Sequence, residues 1–266
     1  ALPRQLRKLE EELQVKLFNR TSHSVVLTED GLLFKRRAQE IVALSEKTKR
    51  DFIRGNRELS GEIGIGCGEF RSIQIIAQIM KEFKKEHPFV TFQIYSGNSS
   101  NIKERIESGI LDIGVILDYV DIRKYEYVRI PLSEEWGVLV REDSPLATME
   151  YVTPEDIREL PLIISERSMR DNELADWIGK KYEDLNIVST YNLMYNAAIM
   201  VANGMGVAGC IKLDCRYEGT RFVPARPSVK NNSVFAWKKA LSQSQAVSSF
   251  IEFSRIYIKR ISSNTT

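Results

Sequence analysis

Residues 1–31, ALPRQLRKLEEELQVKLFNRTSHSVVLTEDG, predict a helix, a hairpin and the start of a second helix. Leucine recurs at positions 2, 6, 9 and 13, which places an apolar stripe along an amphipathic helix. Because proline is tolerated in the first turn of a helix, Pro3 predicts that this helix begins beside it. Residues 19–28 predict a short hairpin with its tip at 21–24. Thr28, followed by two acidic residues, predicts the N-cap of a long helix that ends at about Arg54.

The net positive charge of the chain is concentrated at this end. Residues 1–55 carry 12 Lys/Arg against 8 Asp/Glu, a net charge of +4, whereas the whole chain is +2. A basic first part beside a nearly neutral remainder is typical of a protein whose first part binds an anion such as DNA.

The composition is that of a folded globular protein, with 43% hydrophobic and 28% charged residues. The sequence contains no run of eighteen apolar residues and no signal peptide, and its three cysteines lack metal-ligand spacing. We therefore expect a cytoplasmic protein that neither spans a membrane nor holds a metal or other cofactor.

From residue 61 onward, predicted strands alternate with predicted helices. The first cycle comprises the strand GEIGIGCG, a helix that Pro88 ends, the strand FVTFQIYSG, a helix that ends at Gly109, and the strand LDIGVIL. A second cycle begins near EEWGVLV and contains LPLIISE, a helix over 171–182, NIVSTYN, a helix over 194–203 and GVAGCI, before a last helix over 245–260. Such alternation predicts α/β layers with parallel strands and right-handed crossovers.

The stretch NGMGVAG, residues 203–209, contains the G-x-G-x-x-G string of dinucleotide-binding proteins. That fingerprint requires the glycines to follow a strand and open a helix, so that pyrophosphate meets the helix N-terminus. Here the predicted helix comes first and the predicted strand follows. We therefore expect Gly204 to be a left-handed helix C-cap and Gly206 to permit a tight turn, with no NAD site.

The first 31 residues resemble the second half of the winged helix-turn-helix of LysR-type transcriptional regulators. The matching positions are Ala1-Leu2, Arg4-Gln5, Leu9-Glu10, Leu13, Leu17-Phe18, Arg20, Leu27-Thr28 and Gly31. Two positions depart from the family pattern, which usually has Ser in place of Pro3 and Gly in place of Gln14. The resemblance implies that the chain opens inside the recognition helix, so we expect an N-terminally truncated sequence.

The remainder is similar to the effector domain of the same family, notably at AAIMVANGMGVAGC, residues 197–210. The resemblance implies two α/β subdomains of periplasmic-binding-protein type, joined by two crossing strands, with a small-molecule effector between them. The implied domains are a partial winged helix-turn-helix at 1–27, a dimerising linker helix at 28–57, effector subdomain I at 58–132 and 242–266, and effector subdomain II at 133–241.

The predicted partners are double-stranded DNA, a small-molecule effector and further copies of the chain, as a homodimer or homotetramer. A regulator of this kind can also contact RNA polymerase. The candidate DNA-binding residues are Ala1, Pro3, Arg4, Gln5, Lys8, Arg20, Thr21 and His23, on the recognition helix and the hairpin. The candidate dimerisation residues are Phe34, Ala38, Ile41 and Phe52, on one side of the long helix.

The candidate effector-binding residues follow the carboxyl ends of predicted strands, where open α/β sheets bind ligands. They are Cys67, Gly68, Glu69, Phe70, Ser99, Ser100, Leu117, Ser165, Glu166, Arg167 and Asn192. The alternative is structural, with Ser99 a helix N-cap and 166–167 a solvated loop. Leu117 stands where relatives that take aromatic diacids carry arginine, which disfavours that ligand class. Glu69 and Glu166 suit an amine, so we expect an amino-acid-like effector.

Two other classes of function compete with this interpretation. A stand-alone solute receptor of the periplasmic-binding type would lack the first 55 residues and would carry an export signal. An enzyme would need convergent acid and base groups, but the only histidines are His23 and His87, and no catalytic triad, carboxylate pair or phosphate loop is visible. We therefore expect no enzyme. The remaining chemical candidates are the thiols, Cys67 alone or Cys210 with Cys215 as a redox switch.

Overall fold

A computed structural model describes residues 2–20, 25–52, 59–117, 123–166, 173–239 and 243–263. The chain divides into two compact units, Ala1–Ile53 and Arg54–Thr266.

The first unit contains the two helices and the hairpin that its sequence predicts. Its elements are helix α1 (Leu2–Leu13), strands β1 (Phe18–Arg20) and β2 (Val25–Leu27), and helix α2 (Glu29–Phe52). The strands pair antiparallel, with Phe18 opposite Leu27. The predicted hairpin tip at 21–24 lies outside the described residues.

Side-chain hydrogen bonds to the backbone fix the connections between these elements. The Oε1 atom of Glu10 accepts from the backbone N–H groups of Leu17 and Phe18, at 2.7 and 3.1 Å. The Oγ1 atom of Thr28 accepts from the N–H of Gly31 at 2.9 Å, which confirms Thr28 as the cap of α2. A Cβ atom at Gly31 would lie 2.0 Å from the carbonyl oxygen of Leu17, so this close approach requires glycine.

The second unit contains two lobes that share a continuous path of paired strands, β4-β3-β5-β11-β6-β9-β7-β8, with β10 paired to β6. The first lobe contains β3 (Ser60–Cys67), α3 (Ile73–Glu86), β4 (Phe89–Ser96), α4 (Ser99–Glu107), β5 (Ile113–Leu117) and α8 (Gln245–Ser263). Strand β3 is parallel to both β4 and β5. Helices α3 and α8 cover one face of this sheet, where the rings of Phe83 and Phe250 meet at 5.1 Å between centroids.

The second lobe is built on the strands that continue this path. Its elements are α5 (Pro154–Ile157), β7 (Leu162–Ser165), α6 (Glu173–Ile178), β8 (Ile187–Tyr191), α7 (Met194–Ala202), β9 (Val207–Ile211) and β10 (Thr220–Pro224), with 3-10 turns at Pro145–Thr148 and Tyr182–Asp184. Strand β7 is parallel to β8 and β9, whereas β9 and β10 are antiparallel to β6.

Two long strands, β6 (Tyr125–Arg141) and β11 (Lys230–Lys238), pass between the lobes and pair antiparallel with each other. Their register shifts between Asn232 and Val234, and from residue 233 onward β11 also pairs with β5 of the first lobe. The predicted boundary at 133 therefore falls inside β6. The chain rejoins the sheet of the first lobe in β11, earlier than the predicted boundary at 242.

The glycine-rich stretch has the predicted order, with helix α7 before it and strand β9 after it. Gly204 follows α7 at φ +78°, a left-handed C-terminal position. A Cβ atom at Gly206 would lie 2.5 Å from the carbonyl oxygen of Pro161, so the chain enters the sheet through a close backbone contact. These glycines are structural, as predicted, because no helix N-terminus follows them to receive a pyrophosphate.

One predicted helix is wrong in length. A helix was expected over 171–182, but α6 ends at Ile178 and Gly179 follows at φ +73°. Tyr182 opens a separate 3-10 turn instead. Among the helices of the described ranges, none is both long and apolar enough to cross a membrane.

Gln14 is a strained residue at the end of α1. Its φ is +55°, and it is the one described residue other than glycine with a positive φ. Its N–H donates to the carbonyl of Glu11, and the N–H of Val15 donates to that of Glu10, so Gln14 is a left-handed helix cap. This position is where the LysR pattern usually has glycine.

We predict that Gln14→Gly stabilises the first unit by about 0.5–1 kcal/mol, because glycine avoids the steric cost of left-handed backbone. Loss of helical circular dichroism on heating measures this change. All three tryptophans, at 136, 177 and 237, lie in the second unit. The unfolding midpoint measured by tryptophan fluorescence should therefore be the same in the variant and the wild type. The matched control Gln39→Gly, inside α2, should destabilise the first unit by about 1 kcal/mol. A lower midpoint for Gln14→Gly would contradict the prediction.

Candidate functional site

A cavity of about 110 Å³ opens where strand ends of the first lobe face strand ends of the second. Six predicted effector-binding residues line it: Gly68, Glu69, Phe70, Ser99, Ser165 and Asn192. Further lining residues, which the sequence did not single out, include Gly97, Asn98, Trp136, Tyr191, Met194 and Cys210. We call this cavity the cleft.

The other five predicted effector-binding residues do not line the cleft. Cys67 and Leu117 are buried in β3 and β5, where residues 63–67 and 113–117 are all buried. Ser100 and Glu166 are exposed. Arg167 lies outside the described residues.

The N-terminus of α4 borders the cleft and is capped by an uncharged side chain. The Oδ1 atom of Asn98 accepts from the N–H of Asn101 at 2.9 Å, so Asn98 is the N-cap and the alternative role of Ser99 as the cap is wrong. Ser99 is only 6% exposed. Its hydroxyl and the first N–H groups of the helix form a neutral site with positive partial charge.

The N-terminus of α7 also borders the cleft, and a carboxylate of the first lobe accepts a hydrogen bond from it. The Oε2 atom of Glu69 accepts from the N–H of Met194 at 2.6 Å, a charge-assisted bond to the first residue of α7. Among the described lining residues of the cleft, Glu69 is the one charged side chain. It gives this end of the cleft a negative charge.

A second carboxylate-to-helix contact lies beneath the cleft, at the start of α3. Glu134 of β6 is fully buried, and its two carboxylate oxygens accept from the N–H groups of Arg71 and Ser72 at 3.1 and 3.0 Å. This role could not be predicted from the sequence, because Glu134 is one of two adjacent acids in a predicted strand. Its neighbour Glu135 instead pairs with Lys212 at 3.2 Å.

The thiols beside the cleft are held in the protonated state. Burial and the nearby carboxylate of Glu134 raise the pKa of Cys67 to about 12, and burial raises the pKa of Cys210 to about 12. The thiol of Cys67 donates to the carbonyl of Gly68. Cys215 is exposed. Because the thiolate is the reactive form, these two buried thiols are unreactive at neutral pH. The described residues include no group of His, Cys, Asp or Glu arranged to hold a metal ion.

In the first unit, the described candidate DNA-binding side chains share the exposed surface of α1. Arg4, Gln5 and Lys8 are exposed, and Lys8 lies 3.8 Å from Glu12 in a solvated pair. The side chains of Ala1, Pro3, Arg20, Thr21 and His23 lie outside what the structure describes.

The candidate dimerisation residues lie on α2. Phe34 and Ala38 line an apolar groove of about 600 Å³ together with side chains of α1 and the hairpin. Ile41 is 69% exposed. The side chain of Phe52 is not among those described.

Two family models match the chain. The LysR substrate binding domain matches residues 56–257, and the bacterial regulatory helix-turn-helix protein of the lysR family matches residues 1–32. The first match spans the second unit and the cleft, and the second spans α1, the hairpin and the start of α2.

Individual proteins give the same result. The chain is 33% identical over 179 residues to YwqM of Bacillus subtilis (strain 168), an HTH-type transcriptional regulator; the alignment covers 65% of this chain and 60% of YwqM. The full-length CbnR structure in complex with its target DNA superposes with a TM-score of 0.71 at 18% identity, covering 96% of this chain and 88% of CbnR. The effector-binding domain of QuiR in complex with shikimate gives a TM-score of 0.65 at 18% identity, covering 76% of this chain and 99% of that domain.

The two matched segments together account for both units in the order that the sequence predicts. The family consists of transcriptional regulators rather than enzymes. The chain belongs to the LysR family of helix-turn-helix transcriptional regulators, with a DNA-binding domain followed by an effector-binding domain.

Proposed function

We propose that this protein binds double-stranded DNA through α1 and the hairpin, and regulates transcription when a small molecule binds in the cleft. The observation that carries the proposal is the presence in one chain of a basic helix-turn-helix segment and a two-lobed domain with a cleft that contains the carboxylate of Glu69. A stand-alone solute receptor would have no use for the first unit. Since its DNA lies in the bacterial cytoplasm, we place its activity there.

The exposed surface of α1 supports the DNA-binding role. Arg4 and Lys8 are one turn apart, so both side chains project from the same face of the helix. The pair of Lys8 with Glu12 is exposed at both side chains, 77% and 63%, and is therefore weak enough to exchange for a phosphate contact. We propose that Arg4, Gln5 and Lys8 face the major groove and that Arg20 and the 21–24 hairpin contact the backbone.

We predict that the double variant Arg4→Ala, Lys8→Ala weakens binding to duplex DNA from upstream of its own gene by about tenfold or more. Each lost phosphate contact should also lower the slope of log K against log salt by about 0.9. Fluorescence anisotropy at several salt concentrations measures both effects. Lys85→Ala removes a similar exposed charge from the second unit and should change neither. Unchanged affinity and slope in the double variant would refute this role for α1.

We propose that α2 pairs with α2 of a second copy, giving a homodimer or homotetramer. Leu33, Ile41 and Leu44 are 52%, 69% and 43% exposed and lie along one stripe of the helix. The predicted residues Phe34 and Ala38 lie beside this stripe. A stripe of large apolar side chains on a charged helix is typical of a helix pair.

Ile41→Asp should dissociate the oligomer to a species of the 30.5 kDa chain mass, because it buries a charge in the apolar seam. Sedimentation equilibrium at micromolar concentration measures the change. Leu32→Asp is the matched control, since Leu32 is 58% exposed on the opposite side of α2 and should leave the mass unchanged. A wild-type protein that sediments as a monomer would rule the helix pair out.

The charges of the cleft support a small zwitterionic effector. The start of α4, with Ser99, offers positive partial charge and a hydroxyl to a ligand carboxylate. Glu69 uses its Oε2 atom on Met194 and has its Oε1 atom to accept from a ligand ammonium group. The volume of about 110 Å³ is below the range of about 300–1,000 Å³ for drug-sized ligands. We therefore propose an amino-acid-like effector.

Ser99→Ala should weaken effector binding by about 1–2 kcal/mol, or roughly 5- to 30-fold in Kd, if its hydroxyl bonds a carboxylate. A thermal-shift screen of amino acids followed by calorimetry measures the affinity. Ser100→Ala is the matched control: its hydroxyl is exposed, does not line the cleft and should not contribute. Glu69→Gln should remove the preference for a ligand ammonium group. Saturable binding of an uncharged hydrophobic compound, indifferent to Ser99→Ala, would show that the ligand class is wrong.

A further inference from the structure

The segment that joins β3 to α3 and the first turn of α3 together make three polar contacts to the second lobe. The carboxylate of Glu69 accepts from the N–H of Met194 at 2.6 Å. The Nε atom of Arg71 donates to Asp214 Oδ1 at 2.8 Å, and the amide of Gln74 donates to Asp214 Oδ2, also at 2.8 Å. Both oxygens of Asp214 are therefore bound by the first lobe.

The three residues that make these contacts lie between positions 69 and 74, and the backbone within this stretch is anchored to β6. The buried carboxylate of Glu134 holds the backbone N–H groups of Arg71 and Ser72, so the start of α3 is fixed to the crossing strand β6. Glu69 and Gln74 therefore lie on either side of backbone that is bonded to β6. A movement of the second lobe that breaks the bonds to Asp214 would also pull α7 from Glu69.

The two contact points in the second lobe belong to different elements. Met194 is the first residue of α7, and Asp214 follows β9 on the way to β10. The N-cap residue of α7 is Leu193, whose apolar side chain cannot accept a hydrogen bond from the N–H groups of the helix. Glu69 thus supplies from the first lobe the acceptor that α7 does not supply for itself.

We propose that Glu69, Arg71 and Gln74, bound to the start of α7 and to Asp214, form a clasp that holds the lobes together through the chain's own side chains. The clasp sets how far the cleft is closed before an effector adds its contacts. Its consequence for regulation rests on the proposed function, whereas the clasp itself is a property of the second unit alone.

Hydrogen–deuterium exchange at the Met194 amide tests whether the contacts act together. Glu69→Ala should accelerate this exchange by about tenfold or more, because the amide loses its acceptor. Asp214→Asn removes charge at the other contact and leaves Glu69 intact. If the contacts form one clasp, the Asp214→Asn variant should still accelerate exchange at Met194 by about two- to fivefold, as expected for loss of a partly exposed ion pair.

Asp143→Asn is the matched control, because it breaks an exposed ion pair with Arg141 in the same lobe and away from the clasp. Exchange within β7 should remain slow in every variant, which excludes general unfolding. The proposal is overturned if Asp214→Asn exchanges at Met194 like Asp143→Asn, or if Glu69→Ala exchanges like the wild type. The measurement uses neither effector nor DNA, so its failure would leave the effector site standing, and failure to bind any amino acid would leave the clasp standing.

Discussion

The antiparallel pairing of β6 with β11 carries both lobes of the effector-binding domain, and the cleft depends on it. Strand β6 has 17 residues and spans about 55 Å, so one continuous strand reaches across both lobes. It bonds to β11 throughout the first lobe and to β9 and β10 in the second. Because a hydrogen-bonded ladder has one register, the lobes cannot slide along each other. The irregularity between Asn232 and Val234 is the place where this ladder can bend.

Three helices, α3, α4 and α7, begin at or beneath the cleft, and their N-termini are capped by different kinds of side chain. Buried Glu134 caps α3 and Glu69 caps α7, so two of the three positive ends already have a carboxylate. The third, α4, has the neutral side chain of Asn98 on its third N–H. An anionic group of a ligand is therefore most favourable at α4, where no carboxylate of the protein competes with it. The same Glu134 charge contributes to the raised pKa of Cys67, which links the protonated thiol to the anchoring of α3.

Signals that depend on neighbouring residues could be read from the sequence, whereas pairings across long distances could not. Thr28 and Gly204 revealed helix ends because caps are local. Strands β10 and β11 were missed, since their residues show no clear alternation and pair with residues far away in the sequence. Six of the residues predicted from their places after strand ends line the cleft, whereas Cys67, at the end of β3, packs into the core of the first lobe. Trp136 and Met194 were missed because a crossing strand and a helix start bring them to the cleft.

The distribution of these groups between the lobes determines the order in which a zwitterionic ligand would engage them. Both proposed charge contacts, at Ser99 and at Glu69, belong to the first lobe, so this lobe can hold the ligand by itself. The second lobe contributes mainly Trp136, Tyr191 and Met194, which cover the ligand rather than neutralise it. The bond from Met194 to Glu69 links this lobe to the charged end of the cleft. A ligand ammonium group on the other oxygen of Glu69 would therefore be favoured in the closed arrangement, where apolar contacts add to the charge contacts. Such differential affinity for two arrangements is what a ligand needs in order to shift an equilibrium between them.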